Sequence, residues 1–219
     1  MDFSREIDLA TTGFNYSSGM GFDSSDGELS SAKFHARSFL GKPVPLGGDF
    51  VFAPVFQYQG TLLDVHGASP GFPIGDETLH YLALQGFVIS ASDRSPWIYG
   101  AWARAGLGTD FQHIDGDDFQ FDVAVGAGYR INDNLLLALG VGMFELNGDE
   151  RLMVGPAFSW QASDHLKLSL YGHTFDATYN FDRDWLLSFR TEASGGVWNI
   201  EGADGLSERL AFRSYLIGL

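Results

Sequence analysis

Between Phe119 and Met143 the chain alternates side-chain character with a period of two, and that pattern excludes most folds. The odd positions Phe119, Phe121, Val123, Val125, Ala127, Tyr129 and Ile131 are apolar, while the even positions hold Gln120, Asp122, Ala124, Gly126, Gly128 and Arg130. A helix would mix these two sets on one face, whereas successive side chains of a strand point to opposite faces of a sheet. After Asn132-Asp133-Asn134 the pattern resumes, with Leu135, Leu137, Leu139, Val141 and Met143 set against Leu136, Ala138, Gly140 and Gly142. Two alternating runs around a short polar turn read as a hairpin.

The same alternation covers Trp97 to Phe111 and Arg151 to Gln161, and it fits Ala32 to Leu40, Asp49 to Gly60 and Trp185 to Ser194. Leu79 to Ser90 is strand-like but apolar on both faces, and Arg209 to Leu219 closes the chain. Parity breaks between Lys167 and Phe181, where Leu168 and Leu170 are apolar at even positions but Phe175, Ala177, Tyr179 and Phe181 at odd ones. A bulge near Gly172 would keep a single strand there and give eleven in all; a turn over His173 to Asp176 would split it and give twelve. Bacterial single-chain barrels have even strand numbers, which favours the turn.

Short connections lie at 91–96, 132–134, 162–165 and 182–184, and longer acidic ones at 20–31, 64–77, 112–118, 147–150 and 201–207. Short turns at one end and longer loops at the other are the signature of an up-and-down outer-membrane barrel. The sequence therefore predicts one domain over residues 1–219, all-β, folded as a closed antiparallel up-and-down transmembrane β-barrel of about twelve strands, within a range of 10 to 12. Its rival is a soluble barrel with the apolar faces inward, a ligand-binding module; that would put the repeated Gly-x-Gly pairs on the exterior, where strands seldom carry them.

Composition narrows the partners. Asp and Glu number 28 against 13 Lys and Arg, a formal charge of -15, which disfavours a hold on nucleic acid phosphates. Zero cysteines remove disulfide scaffolds, thiolate zinc sites and cysteine nucleophiles. There is no apolar run long enough for a transmembrane helix, and the opening Met1-Asp2-Phe3-Ser4-Arg5-Glu6 lacks a signal peptide's basic and apolar regions. The expected location is the bacterial outer membrane, with a lipid bilayer as partner, a protein partner of unknown identity, and neither cofactor nor metal.

Several segments resemble a family of uncharacterised bacterial outer-membrane β-barrels known only as a domain of unknown function. They are Gly108-Thr109-Asp110-Phe111 leading into Asp117-Asp118-Phe119, the glycine pairs at 126 and 128 and at 140 and 142, the run from Gly155 to Asp164, and Gly195-Gly196-Val197-Trp198. The similarity runs from about Phe50 to the end. It implies a fold and a membrane and carries no activity with it.

If the apolar parity faces lipid, the other face carries Lys33, Arg37, Arg104, Arg130, Arg151, Lys167 and Arg190, opposed by Asp49, Asp110, Asp122 and Glu192. Arg37, Arg104, Asp110, Asp122, Arg130, Arg151, Arg190 and Glu192 form the candidate lumen charge network, either a hydrogen-bonded plug or the wall of a small pore. His80, Asp110 and His113 fall toward the loop end, where a membrane hydrolase could place a His-Asp pair, although no nucleophile motif accompanies them. Asp115-Gly116-Asp117-Asp118 has hard oxygen ligands but not the spacing of a calcium loop, and the Gly-rich runs lack the helix a phosphate cradle needs. Trp97, Tyr99, Tyr129, Trp160 and Trp185 next to short turns, with Tyr58 and Phe111 next to longer loops, match the two aromatic girdles of a membrane barrel. A non-enzymatic barrel, a small pore or a structural or partner-binding membrane component, is the leading expectation.

Overall fold

The structure, a computed structural model, describes residues 10–22, 25–66, 76–90, 92, 95–112, 114, 116–146, 149–172, 174–182, 185–201 and 207–218. The strands are β1 (Ala10–Phe22), β2 (Ser25–Phe39), β3 (Val44–Gly47), β4 (Phe50–His66), β5 (Glu77–Ser90), β6 (Trp97–Thr109), β7 (Phe119–Asn132), β8 (Leu135–Leu146), β9 (Asp149–Gln161), β10 (Leu166–Tyr171), β11 (Thr174–Asn180), β12 (Leu186–Glu201) and β13 (Ser207–Gly218), with one 3-10 turn at Gly116–Asp118. Twelve of them form a single antiparallel sheet in which each pairs with the next, while the short β3 folds back on the start of β4.

The turn end of the sheet is built from side chains that hold their own backbone. The Asn134 N–H donates to Asn132 Oδ1 at 2.9 Å, the Leu166 N–H to Ser163 Oγ at 3.1 Å, and the Trp185 N–H to Asp182 Oδ1 at 3.0 Å. Asn, Asp and Ser favour turns through such local bonds, which is why these connections were legible. The opposite end is less uniform than the sequence implied. Asp64 lies within β4, residues 20–31 lie almost wholly within β1 and β2, and only 147–148 separate β8 from β9.

Twelve strands, not eleven, is the outcome at the parity break. Leu166, Leu168 and Leu170 of β10 pair with Tyr179, Ala177 and Phe175 of β11, so the even apolar set and the odd one lie on the same face across a hairpin. The turn sits earlier than predicted: Gly172 follows β10 with φ of +59°, and Asp176 is a strand residue paired with Ser169 and Arg190. His173 itself lies outside the described residues. A left-handed φ is cheap for glycine alone, and it lets the chain reverse before Thr174.

Closure into a barrel is not present. Among the described residues no pairing joins β1 to β13, so the sheet has two free edges. It nevertheless curls far enough for Asn199 of β12 to bridge Thr109 of β6 in parallel, although the two strands stand six places apart in the sheet order. The physical reason is the shortness of β10 and β11. Their last pair with β12 is Thr174 with Glu192, so the remainder of β12 has β13 on one side only and leans across the concave face.

Gly172→Ala should destabilise the β10–β11 hairpin by about 1 kcal/mol, because a Cβ at a left-handed φ costs roughly that much. Chemical denaturation in detergent micelles measures it, and an unchanged midpoint would contradict the turn assignment.

Candidate functional site in the sheet interior

The two faces of the sheet are inverted relative to a water-soluble protein. Phe121 (66% exposed), Val125 (57%) and Leu139 (60%) stand outward, while Lys33, Gln85, Gln120, Asp118 and Asp122 are buried on the concave side. The few buried apolar side chains include Val55, Leu63, Leu79 and Trp198.

A chain of polar contacts crosses the concave face from β4 to β8, and strand register puts it there. Gln85 pairs with Arg104, and Arg104 with Asp122, on three successive strands. Gln85 Nε2 donates to Gln57 Oε1 at 2.6 Å, and Trp102 Nε1 to Gln85 Oε1 at 3.2 Å. Arg104 forms an ion pair with Asp122, with its Nε donating to Oδ2 at 2.6 Å, and the Glu145 N–H donates to the other carboxylate oxygen at 2.8 Å. The guanidinium carbon also lies 5.6 Å from the Tyr81 ring centroid and 5.5 Å from that of Trp102. Asp122 has a side chain with no solvent exposure, and a buried carboxylate is tolerable only when paired and hydrogen-bonded in this way. The Tyr81 ring reaches Gly106, where a Cβ would come within 2.8 Å of Cζ, so the glycine makes room for it.

Of the other charges predicted for this face, Arg190 and Arg151 form separate pairs. Arg190 donates from Nε to Asp176 Oδ2 at 2.8 Å, a partner hidden from the sequence reading by its placement in a turn. Arg151 meets Asp149 at 3.2 Å, both exposed near the loop end. Arg37 is exposed with its guanidinium carbon 5.6 Å from the Phe87 ring centroid, and Asp110 accepts the Gln112 N–H at 2.9 Å. Arg130 is half-buried, and no ion pair to its side chain occurs among the described residues. The Glu192 side chain and His113 lie outside the described residues. Gln57, Gln85 and Tyr81 were not singled out in the sequence, and Trp198 only as the end of Gly195-Gly196-Val197-Trp198; the two glutamines, polar at inner positions of β4 and β5, are the signal that could have found the network.

His80 faces the convex side. The Tyr58 hydroxyl lies 3.0 Å from its Nδ1, and its ring centroid is 4.7 Å from that of Phe111, which adopts a φ of 65°. With Phe34 beside Tyr58, these rings form an aromatic row at the loop end. Trp97, Tyr99 and Tyr129 cluster at the turn end, where His165, Tyr179 and Phe181 make a second group. From Phe119 to Tyr129 the strand spans roughly 33 Å.

At the loop end the concave face carries an apolar clamp. Trp198 of β12 (1% exposed) packs with Leu63 of β4 and Leu79 of β5, with Leu29 of β2 against them. Beside it, at the rim, burial first, then the negative charges of Asp110 and Asp76, push the Glu77 carboxyl above its ordinary value of 4.5. No group of three His, Asp or Glu side chains able to hold a metal ion occurs among the described residues.

These features define a class: an antiparallel meander with an apolar convex face, two aromatic rows and a polar, ion-paired concave face. The chain belongs to the family described as a domain of unknown function, DUF6268, whose match covers residues 92–219 and so begins some forty residues later than the resemblance near Phe50 suggested. No curated protein and no solved structure matches the chain.

Two expectations follow from this geometry. Arg104→Ala strands the Asp122 carboxylate and should cost about 3 to 5 kcal/mol, whereas Arg104→Lys restores the charge without the fork and recovers only part. Arg130→Ala, with no carboxylate to strand, should stay within about 1 kcal/mol of wild type, and denaturation midpoints compare the three. Glu77 binds its proton more tightly in the folded protein, so stability falls as pH rises from the ordinary carboxylate value through the raised one. Glu77→Gln should remove that fall, and a pH series of melting temperatures for the two proteins checks it.

Proposed function

We propose that this chain is a non-enzymatic β-barrel of the bacterial outer membrane, with β1 and β13 pairing to close the sheet in the bilayer, and that its family is an outer-membrane barrel family. One observation carries the reading: the large apolar side chains of β6 to β9 stand outward in alternation while buried Asp122, Gln120 and Lys33 face inward. In water such a surface would cost about 25 cal/mol for each Å² of exposed apolar area, and in hydrocarbon it costs nothing. The two aromatic rows bound this surface as interfacial girdles bound a lipid-facing band.

Closure is supported by the edges themselves. β1 and β13 have 13 and 12 residues, and because twelve strands alternate in direction the first and last run antiparallel. Hydrocarbon cannot satisfy the backbone groups of an open edge, so a bilayer drives the two edges together. The Trp198 clamp and the Arg104–Asp122 pair together favour an occluded interior over a wide channel, hence a structural or partner-binding membrane component, or a pore of small conductance.

Val125→Arg and Leu139→Arg should each destabilise the vesicle-inserted protein by about 2 to 4 kcal/mol, the cost of a cation near the bilayer midplane. Denaturant unfolding from phosphatidylcholine vesicles, with flotation to verify insertion, measures this. Equal stability of Val125→Arg and wild type, or a protein that does not float with the vesicles, would overturn the membrane reading.

A further inference from the structure

We propose that the wall carries a lateral portal between β9 and β12, above the short β10–β11 hairpin, through which the hydrocarbon chain of a membrane amphiphile enters the interior; this rests on the outer-membrane reading. β10 pairs with β9 only over Ala157 to Gln161, and β11 pairs with β12 only over Leu186 to Glu192. Above those pairs, among the described residues, β9 from Asp149 to Pro156 has β8 as its sole neighbour and β12 has β13 as its principal one. The two taller strands thus flank a notch whose sill is the hairpin tip at Tyr171.

The β9 lip of the notch is apolar on both faces over Leu152 to Val154. Leu152 and Val154 continue the outward belt, pairing with Met143 and Val141 of β8. Met153 belongs by alternation to the inner face and is nevertheless 45% exposed; it pairs with Gly142 of β8, and among the described residues no strand pairs with it on the other side. Tyr171, on the inner parity of β10, is exposed at the sill, and its hydroxyl donates to Ser169 Oγ at 2.7 Å. An apolar lip with a polar sill behind it fits a single-chain amphiphile.

Pro156 explains why a hydrocarbon chain, not another β-strand, is the occupant. It is the first residue of β9 beyond the last pair with β10, and it has no N–H to offer a neighbour. Proline at a sheet edge opposes strand addition. The Trp198, Leu63 and Leu79 clamp narrows the loop-side mouth, which leaves the notch as the wider entry.

The test uses the whole chain in phosphatidylcholine vesicles containing a diazirine-bearing palmitic acid, with adducts mapped by mass spectrometry after illumination. The proposal expects adducts on Met153 and Tyr171 of the inner face as well as on the belt residues Val125, Leu139 and Val154. It also expects Met153→Asp to reduce the Tyr171 adduct several-fold while belt labelling persists. Labelling confined to the belt would overturn the portal and leave the membrane reading standing. Absence of belt labelling would overturn both. A Gly155→Cys variant that forms a disulfide-linked dimer in the vesicles would also overturn it, since the free edge would then be a contact between two copies.

Discussion

A sheet whose apolar side chains point outward cannot be held together by burying them against one another. The stability of this molecule depends instead on its antiparallel hydrogen-bond ladder and on the surroundings that receive the convex face. Each strand from β4 to β8 is paired along most of its length on both sides, so the backbone groups there are satisfied within the sheet. What remains for side chains is the concave face, where polar groups are removed from solvent and must find one another. The sequence Gln57, Gln85, Trp102, Arg104 and Asp122 does this across neighbouring strands, and its geometry follows from register alone. Slippage by one residue between β6 and β7 would turn Asp122 outward and break the pair, so the ion pair also fixes the register that creates it.

Much of the architecture is legible from alternation because a strand's two faces sample opposite environments. From Phe119 to Met143 these faces differ so strongly that strands, turn and orientation all follow. The chain before Phe50 is harder. Residues 20–31 are rich in Ser, Gly and Asp and read as a loop, yet all but 23–24 belong to β1 and β2, whose backbones pair from Phe22 with Ser25 onward. Small polar residues have weak intrinsic strand preference, and neighbouring strands override it. The turn at Gly172 was displaced to His173–Asp176 for a related reason: Asp176 is a turn-former by composition, but a position opposite Arg190 claims its carboxylate.

The charged face shows the same limit. Parity separates Arg104, Asp122 and Arg190 from the exposed apolar set, but it cannot say which arginine meets which carboxylate. Arg104 and Asp122 face each other because the β6–β7 register pairs them, while Arg130, on the same face, lies beside Leu136 and the turn. Trp198 lay beyond reach for another reason. Its neighbours Leu63 and Leu79 are more than a hundred residues away in the chain, and contact with them depends on how far the sheet curls.

That distance bears on the order in which the molecule assembles. Among the described residues every pairing along the sheet except the β6–β12 bridge joins strands adjacent in sequence or, for β2 and β4, separated only by the short β3, so hairpins can form and zip onto their neighbours with short loops to close. Loop closure becomes costlier as the enclosed chain lengthens, and contacts of large sequence separation form late. The Asn199–Thr109 bridge and the packing of Trp198 are the most non-local contacts in the fold. They can form only after the intervening strands have curved the sheet, which makes the apolar clamp a final checkpoint on assembly as well as a barrier across the interior.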